Sequence, residues 1–201
     1  MNIDASQLKG RFVYLEKLRE EYRETIRSIA NDDRIWEFNK MLLTGPGYDK
    51  MFDDYFDSAL DNKALGGQQT FIIRTIKDVA IIGMTRLYEI NEKDKHAMIG
   101  YTWYIPSVWG KVYNKECKYL LLQYIFETLR FNRAELRAAG QNLRSQKAIE
   151  KIGGIKEGVL RKHGYRNDGA LKDTVIYGII DDEWKCVKEN LCRLIDKSEN
   201  D

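Results

Sequence analysis

The sequence is short of the residues that most often announce metal or redox chemistry. It has two histidines, His96 and His163, and three cysteines, Cys117, Cys186 and Cys192. Three is an odd number, and none of the cysteines stands at a zinc-ligand spacing. No metal is therefore expected, and the chain reads as reduced and cytoplasmic. Long apolar runs are missing too. The longest, Tyr119 to Phe126, is interrupted by Gln123 and falls well short of the ~20 residues that span a membrane. The opening stretch, MNIDASQLKGRF, has no apolar signal core. Nor is there a surplus of one charge: 33 basic and 31 acidic residues leave a net +2. Nucleic-acid binding wants a basic surface, so neither nucleic acid nor membrane is an expected partner.

What remains is a chain of 201 residues, 43% hydrophobic and 32% charged, as in ordinary globular proteins. At that length about 70% of the unfolded surface can be buried without disulfide or metal. There is no internal repeat, linker or low-complexity segment, so one domain over residues 1–201 is the simplest account. Arg11–Glu16 alternates like a strand. Residues 18–30 and 33–43 carry helical spacings, the second through Ile35, Trp36 and Met41. After the Gly45-Pro46-Gly47 break, residues 48–63 read as an amphipathic helix with Phe52, Tyr55, Phe56 and Ala59 on one face. Asp49, Asp53, Asp54, Asp57 and Asp61 lie on the other. Strands are expected at 69–75, 79–88 and 97–105, then a helix at 114–130 and a strand at 133–138. A helix at 143–152, strands at 155–166 and 171–180, and a last helix at 181–197 complete the chain. The order predicts a layered α/β (α+β) domain.

Two junctions stand out. At the first, a strand ends at Ile105 and a turn with one glycine, Gly110, opens directly into a long apolar helix. A helix start leaves about four N–H groups without partners and carries partial positive charge. With Lys111 and Lys115 nearby, such a turn can cradle a pyrophosphate; it can equally be a plain strand-to-helix loop. At the second, Asn142-Leu143-Arg144-Ser145 precedes a helix that stops at Gly153-Gly154, where a left-handed cap favours glycine. Asn142 is a natural N-cap.

Taken together, Trp109-Gly110-Lys111, Asn142-x-x-Ser145-x-x-Ala148-Ile149-Glu150-Lys151-Ile152-Gly153, Glu157-Gly158-Val159-Leu160-Arg161 and Asp173-Thr174-Val175-Ile176-Tyr177 resemble the GNAT superfamily of N-acetyltransferases, in its RimJ/RimL-like branch. The resemblance runs from Leu8 to Trp184. It implies a mixed, mostly antiparallel sheet of about seven strands flanked by helices, and acetyl-CoA as cosubstrate. It implies that the amides of Val108, Trp109, Gly110, Lys111, Val112, Tyr113 and Asn114 hold the pyrophosphate. The backbone of Trp103, Tyr104 and Ile105 would pair with the pantetheine arm like an added strand. Asn142 would bond the pantetheine, and Ser145 would meet the thioester sulfur. Val112 and Asn114 replace residues usually small, yet both keep their N–H. A carboxylate proposed as general base in relatives aligns with Gly164. His163 beside it is the candidate base, with a water chain open and Tyr165 and Asp173 behind.

The implied activity is transfer of an acetyl group to a primary amine, on a peptide N-terminus, a polyamine or another small amine, by a monomer or homodimer. Retained acetyl-CoA binding without catalysis is the alternative. A nucleotide-binding protein using the same turn lacks a Gly-x-Gly-x-x-Gly or P-loop pattern. Eight acidic residues against three basic ones between Asn31 and Asp61 form either an acidic wall that draws in a cationic amine or a solvated helix face.

Overall fold

The computed structural model describes residues 3–38 and 43–198. Strands β1 (Val13–Lys17), β2 (Gln68–Thr75), β3 (Ile81–Asn91), β4 (His96–Tyr104), β5 (Arg133–Ala139), β6 (Ile155–Tyr165) and β7 (Leu171–Ile180) form one sheet in the order β1-β2-β3-β4-β5-β7-β6. Every neighbouring pair is antiparallel except β4–β5, which is parallel. The helices are α1 (Arg23–Ala30), α2 (Asp33–Trp36), α3 (Tyr48–Leu60), α4 (Tyr113–Gln123), α5 (Leu143–Lys151) and α6 (Asp181–Lys197).

The sheet buries both faces. On one, Ile72, Met84 and Trp103 pack with Ile26 of α1, Trp36 of α2 and Phe52 and Phe56 of α3. On the other, Phe71, Leu87 and Ile99 pack with Leu121 and Leu122 of α4, Ile149 of α5 and Trp184 and Leu191 of α6. The periodicity that marks α3 in the sequence is the one it buries: Phe52, Tyr55, Phe56 and Ala59. Gly153 stops α5 at φ +103°, a conformation glycine adopts without steric cost.

Two expectations change. The helix expected over 33–43 spans only Asp33–Trp36, because the Trp36 indole reaches back to donate to the Ala30 carbonyl at 2.8 Å. Residues 39–42, Met41 among them, lie outside the described residues. The helix expected to Arg130 ends its α-helical part at Gln123 and widens into a π turn over Tyr124–Thr128. Glu116, in the first turn of α4, does more than face a helix dipole. It is 3% exposed, and its carboxylate accepts the N–H groups of Arg11, Phe12 and Val13 at 2.8, 2.7 and 2.7 Å. It thereby ties the entry of β1 to the start of α4.

Candidate active site

β4 and β5 pair only from His96↔Arg133 to Ile99↔Leu136. Beyond that, β4 stays on β3 and β5 stays on β7, so the two strands diverge. A bulge accentuates the parting. Met84 pairs with Trp103 and Arg86 with Gly100, which leaves one extra residue in β4. Tyr101 there takes φ +49°. The wedge is a cleft of about 860 Å³ that passes through the sheet, a volume typical of small-ligand sites. Ile35 and Phe38 line it on the α2 side, and Lys111, Lys118 and Ile149 on the α4 and α5 side.

At one end of the cleft sits the turn before α4. Its amides divide into two groups. Those of Val108, Trp109 and Lys111 donate within the turn, to the carbonyls of Ile105, Pro106 and Val108 at 3.2, 3.2 and 3.4 Å. Those of Gly110, Val112, Tyr113 and Asn114 have no acceptor among the described residues. The donors available to an anion are thus fewer than the sequence suggests. Gly110 earns its place through φ +78° rather than through space, since a Cβ there would meet nothing within 4 Å.

The strand edge is narrowed in the same way. Ile105 donates its N–H to Ile82 at 2.9 Å. Bonded and non-bonded pairs alternate along an antiparallel ladder. Met84–Trp103 is therefore also a bonded pair, and Gly83–Tyr104 is not. Only Tyr104, of the three residues expected to meet the pantetheine, turns its N–H toward the wedge; its carbonyl there accepts the Trp109 indole N–H at 2.9 Å.

On the opposite bank, Asn142 caps α5 by accepting the Ser145 N–H on Oδ1 at 2.9 Å. Its Nδ2 remains to donate. The Ser145 hydroxyl has no partner among the described residues, and both residues line the cleft. Arg144 reaches from α5 across to the turn, its guanidinium 3.9 Å from the centre of the Trp109 ring, within the range of a cation–π contact.

His163 and Gly164 line the far rim. Leu160 pairs with Thr174 and Gly164 with Lys172, so the residues between bulge outward and Lys162 takes φ +49°. Asp173 holds this bulge by accepting the Lys162 N–H at 2.8 Å. The exposed His163 ring bonds through Nδ1 to Thr174 Oγ1 at 3.1 Å.

Two features are not among those the sequence singles out. Lys118 lines the cleft while 6% exposed, and burial lowers its pKa from 10.5. A lysine on the inward face of α4, four residues after Asn114, was the available signal. The second is the charge of the lining. Lys111, Lys115, Arg137, Arg144, Lys151 and Lys172 contribute to it, and no Asp or Glu does among the described residues. Such a wall suits a polyanion. The acidic face of α3 supplies no counterweight, because it is turned to cations of its own. Asp53 and Asp57 pair with Arg23 at 2.9 and 2.5 Å, Asp53 also with Arg27 at 2.7 Å, and Asp54 with Lys50 at 2.9 Å.

Comparison with known proteins agrees with this geometry. A family model described as "Acetyltransferase (GNAT) domain" matches residues 13–155. The chain is 34% identical to the Bacillus subtilis (strain 168) protein named "Putative ribosomal N-acetyltransferase YdaF" over 109 residues, 54% of this chain and 58% of that one. The fold superposes on a GCN5-related N-acetyltransferase from Brucella melitensis with TM-score 0.83 at 21% identity, covering 94% of this chain and 84% of that one. It superposes on the spermidine N-acetyltransferase from Vibrio cholerae, solved in complex with CoA and spermine, with TM-score 0.70 at 20% identity, covering 86% and 98%. No helix among the described residues is long and apolar enough to cross a membrane. With a matching family model over most of its length and the diverging β4–β5 pair at its centre, the chain belongs to the GNAT acetyltransferase family.

Proposed function

We propose that this protein transfers the acetyl group of acetyl-CoA to the α-amine of a peptide or protein, directly, with both substrates held in the cleft. The observation that carries this reading is the cleft itself. It passes through the sheet, has unpartnered amides at the start of α4 on one side, and opens toward α2 on the other. A thioester and an amine entering from opposite faces meet without a covalent enzyme intermediate, and their positioning supplies much of the rate.

In this reading the pyrophosphate takes the amides of Gly110, Val112, Tyr113 and Asn114, with the cationic lining around it. The pantetheine takes the Tyr104 N–H and Asn142 Nδ2. The Ser145 hydroxyl donates a hydrogen bond to the sulfur as negative charge develops there.

The lining also bears on the acceptor. A peptide α-amine titrates near 7.7–8.0 and a lysine-type amine near 10.4. At pH 7 about 10% of the first is already neutral, against ~0.04% of the second. A cleft with no carboxylate among its described residues to serve as base is better matched to the first. It also gives a polyamine no negative wall, so the likeness to a spermidine enzyme stops at the fold. The ribosomal name of the relative YdaF and the RimJ/RimL-like motifs point the same way. A second reading, an acetyl-CoA-binding module without turnover, draws on Gly164 and on the lack of a carboxylate among the described lining residues.

Titration with CoA tests the site, and release of CoA from acetyl-CoA with peptides, polyamines and amino sugars tests the reaction. Gly110→Asp should weaken CoA binding at least ~10-fold, because it sets a carboxylate against the pyrophosphate. The fold should survive, since Asp tolerates φ > 0 better than most residues. Unchanged affinity in a folded variant moves the anion site elsewhere. Tight CoA binding with no turnover on any amine selects the second reading.

A further inference from the structure

Lys118 stands four residues after Asn114 on α4, so the two side chains share a face of the helix, and both line the cleft. Its Nζ donates to Thr102 Oγ1 at 2.8 Å, and Thr102 Oγ1 lies 2.8 Å from Thr85 Oγ1 on β3. An ammonium has three N–H donors. Here, among the described residues, one acceptor meets them, and it is a neutral hydroxyl. Glu116, two residues back along α4, is turned away onto the amides of Arg11, Phe12 and Val13. Around the helix start, among the described residues, stand Cys117 and Tyr104, both kept neutral by burial, Tyr113, and the cationic Lys111 and Lys115. Of these only Cys117 acts to raise the Lys118 pKa, and burial outweighs it.

A buried amine with one weak partner is far less costly neutral than charged. Burial accordingly pushes the Lys118 pKa down. A neutral amine keeps a lone pair, and this one sits at the narrow end of the wedge. Thr102 follows the β4 bulge directly, close to the point where β4 and β5 part.

We propose that Lys118 carries the proton during acetyl transfer, an inference that rests on the acetyltransferase reading. The acceptor nitrogen attacks the thioester carbon and the C–N bond forms. Nζ takes a proton from that nitrogen. The C–S bond breaks, the ammonium gives its proton to the departing thiolate, and Lys118 is neutral again. Nothing else is consumed. A thiol titrates near 8.5 and a peptide amine near 8, both below an ordinary lysine, so burial moves Lys118 toward its two exchange partners. Ser145 is a donor of hydrogen bonds to the sulfur but needs a source for the proton itself. His163 is held by Thr174 at the exposed rim.

The test joins one measurement that needs no turnover with one that does. The first is the 15N resonance of Lys118 Nζ in the free protein at pH 7, assigned by its loss in Lys118→Met. A neutral-amine shift is expected; an ammonium shift overturns the proposal whether or not the protein is active. The second is steady-state kinetics under conditions where transfer limits turnover. Lys118→Met and Lys118→Arg should each lower kcat about 10²- to 10⁴-fold, the range for lost proton transfer, with CoA affinity within about threefold of wild type. Arg keeps a donor for Thr102 but is always charged and cannot be deprotonated, so wild-type kcat in Lys118→Arg overturns the shuttle. Wild-type protein that binds CoA and acetylates no amine overturns the functional reading and the shuttle with it, even if Lys118 proves neutral.

Discussion

Glu116→Gln changes one atom of the clamp between β1 and α4. In the native chain Oε1 accepts the Arg11 N–H, and Oε2 accepts those of Phe12 and Val13. A carboxamide can serve one side only. In its better orientation the oxygen keeps Phe12 and Val13, and the NH2 group faces the Arg11 N–H, donor against donor. Hydrogen bonds to a charged group contribute about 1.5–3 kcal/mol and neutral ones about 0.5–1.5 kcal/mol. Two bonds weaken by about 1 kcal/mol each and the third is lost, for a total of about 3–5 kcal/mol. At this chain length 1 kcal/mol moves Tm by about 2–4 °C, so Tm should fall by about 6–20 °C, read by calorimetry at pH 7. Gly10→Ala attacks the same clamp from the other side, because the new methyl would run into the Glu116 carboxylate. It too should lower Tm. A fall of less than about 2 °C in Glu116→Gln would refute the argument and mean that water replaces the carboxylate at no cost. Because Glu116 lies in the first turn of α4, the proposed amide cradle rests on the same clamp, and weaker CoA binding should accompany the lower Tm.

Three further outcomes are expected. Asn142→Ala loses the α5 cap, about 1 kcal/mol, and should raise the KM for acetyl-CoA more than it lowers kcat, since its Nδ2 would meet a part of the cosubstrate bound alike before and during reaction. Ser145→Ala should instead lower kcat, roughly 10–1000-fold, and wild-type kcat in that variant removes Ser145 from the sulfur. Arg133 bonds Glu157 at 2.5 and 2.7 Å and lowers its carboxyl from the ordinary 4.5. A depressed carboxylate stabilises the fold above its unfolded pKa and loses that contribution as pH falls through the folded one. The Glu157 side chain is 39% exposed, so screening holds the effect to about 1 kcal/mol or less. Glu157→Gln should therefore lower Tm by no more than about 2–4 °C at pH 7, and the gap should close as the pH is taken below about 4.

The sequence alone determined the elements, because each rests on a local pattern. The spacing of Phe52, Tyr55, Phe56 and Ala59 makes α3 wherever it docks, and Gly153 ends α5 because its φ suits few other residues. The Trp109-Gly110-Lys111 and Asn142-x-x-Ser145 motifs were legible for the same reason: each is a contiguous helix start. Tertiary structure decided what those groups are left free to do. Ile105 looks like a ligand-binding strand residue until its N–H is seen to belong to Ile82. Asp53 and Asp57 look like an acidic wall until Arg23 and Arg27 arrive from another helix. Lys118 looks like one more surface lysine until α4 lays it on Thr102. Hydrogen bonds, ion pairs and burial are set by partners distant in the chain, and a local pattern holds no record of which partner arrives.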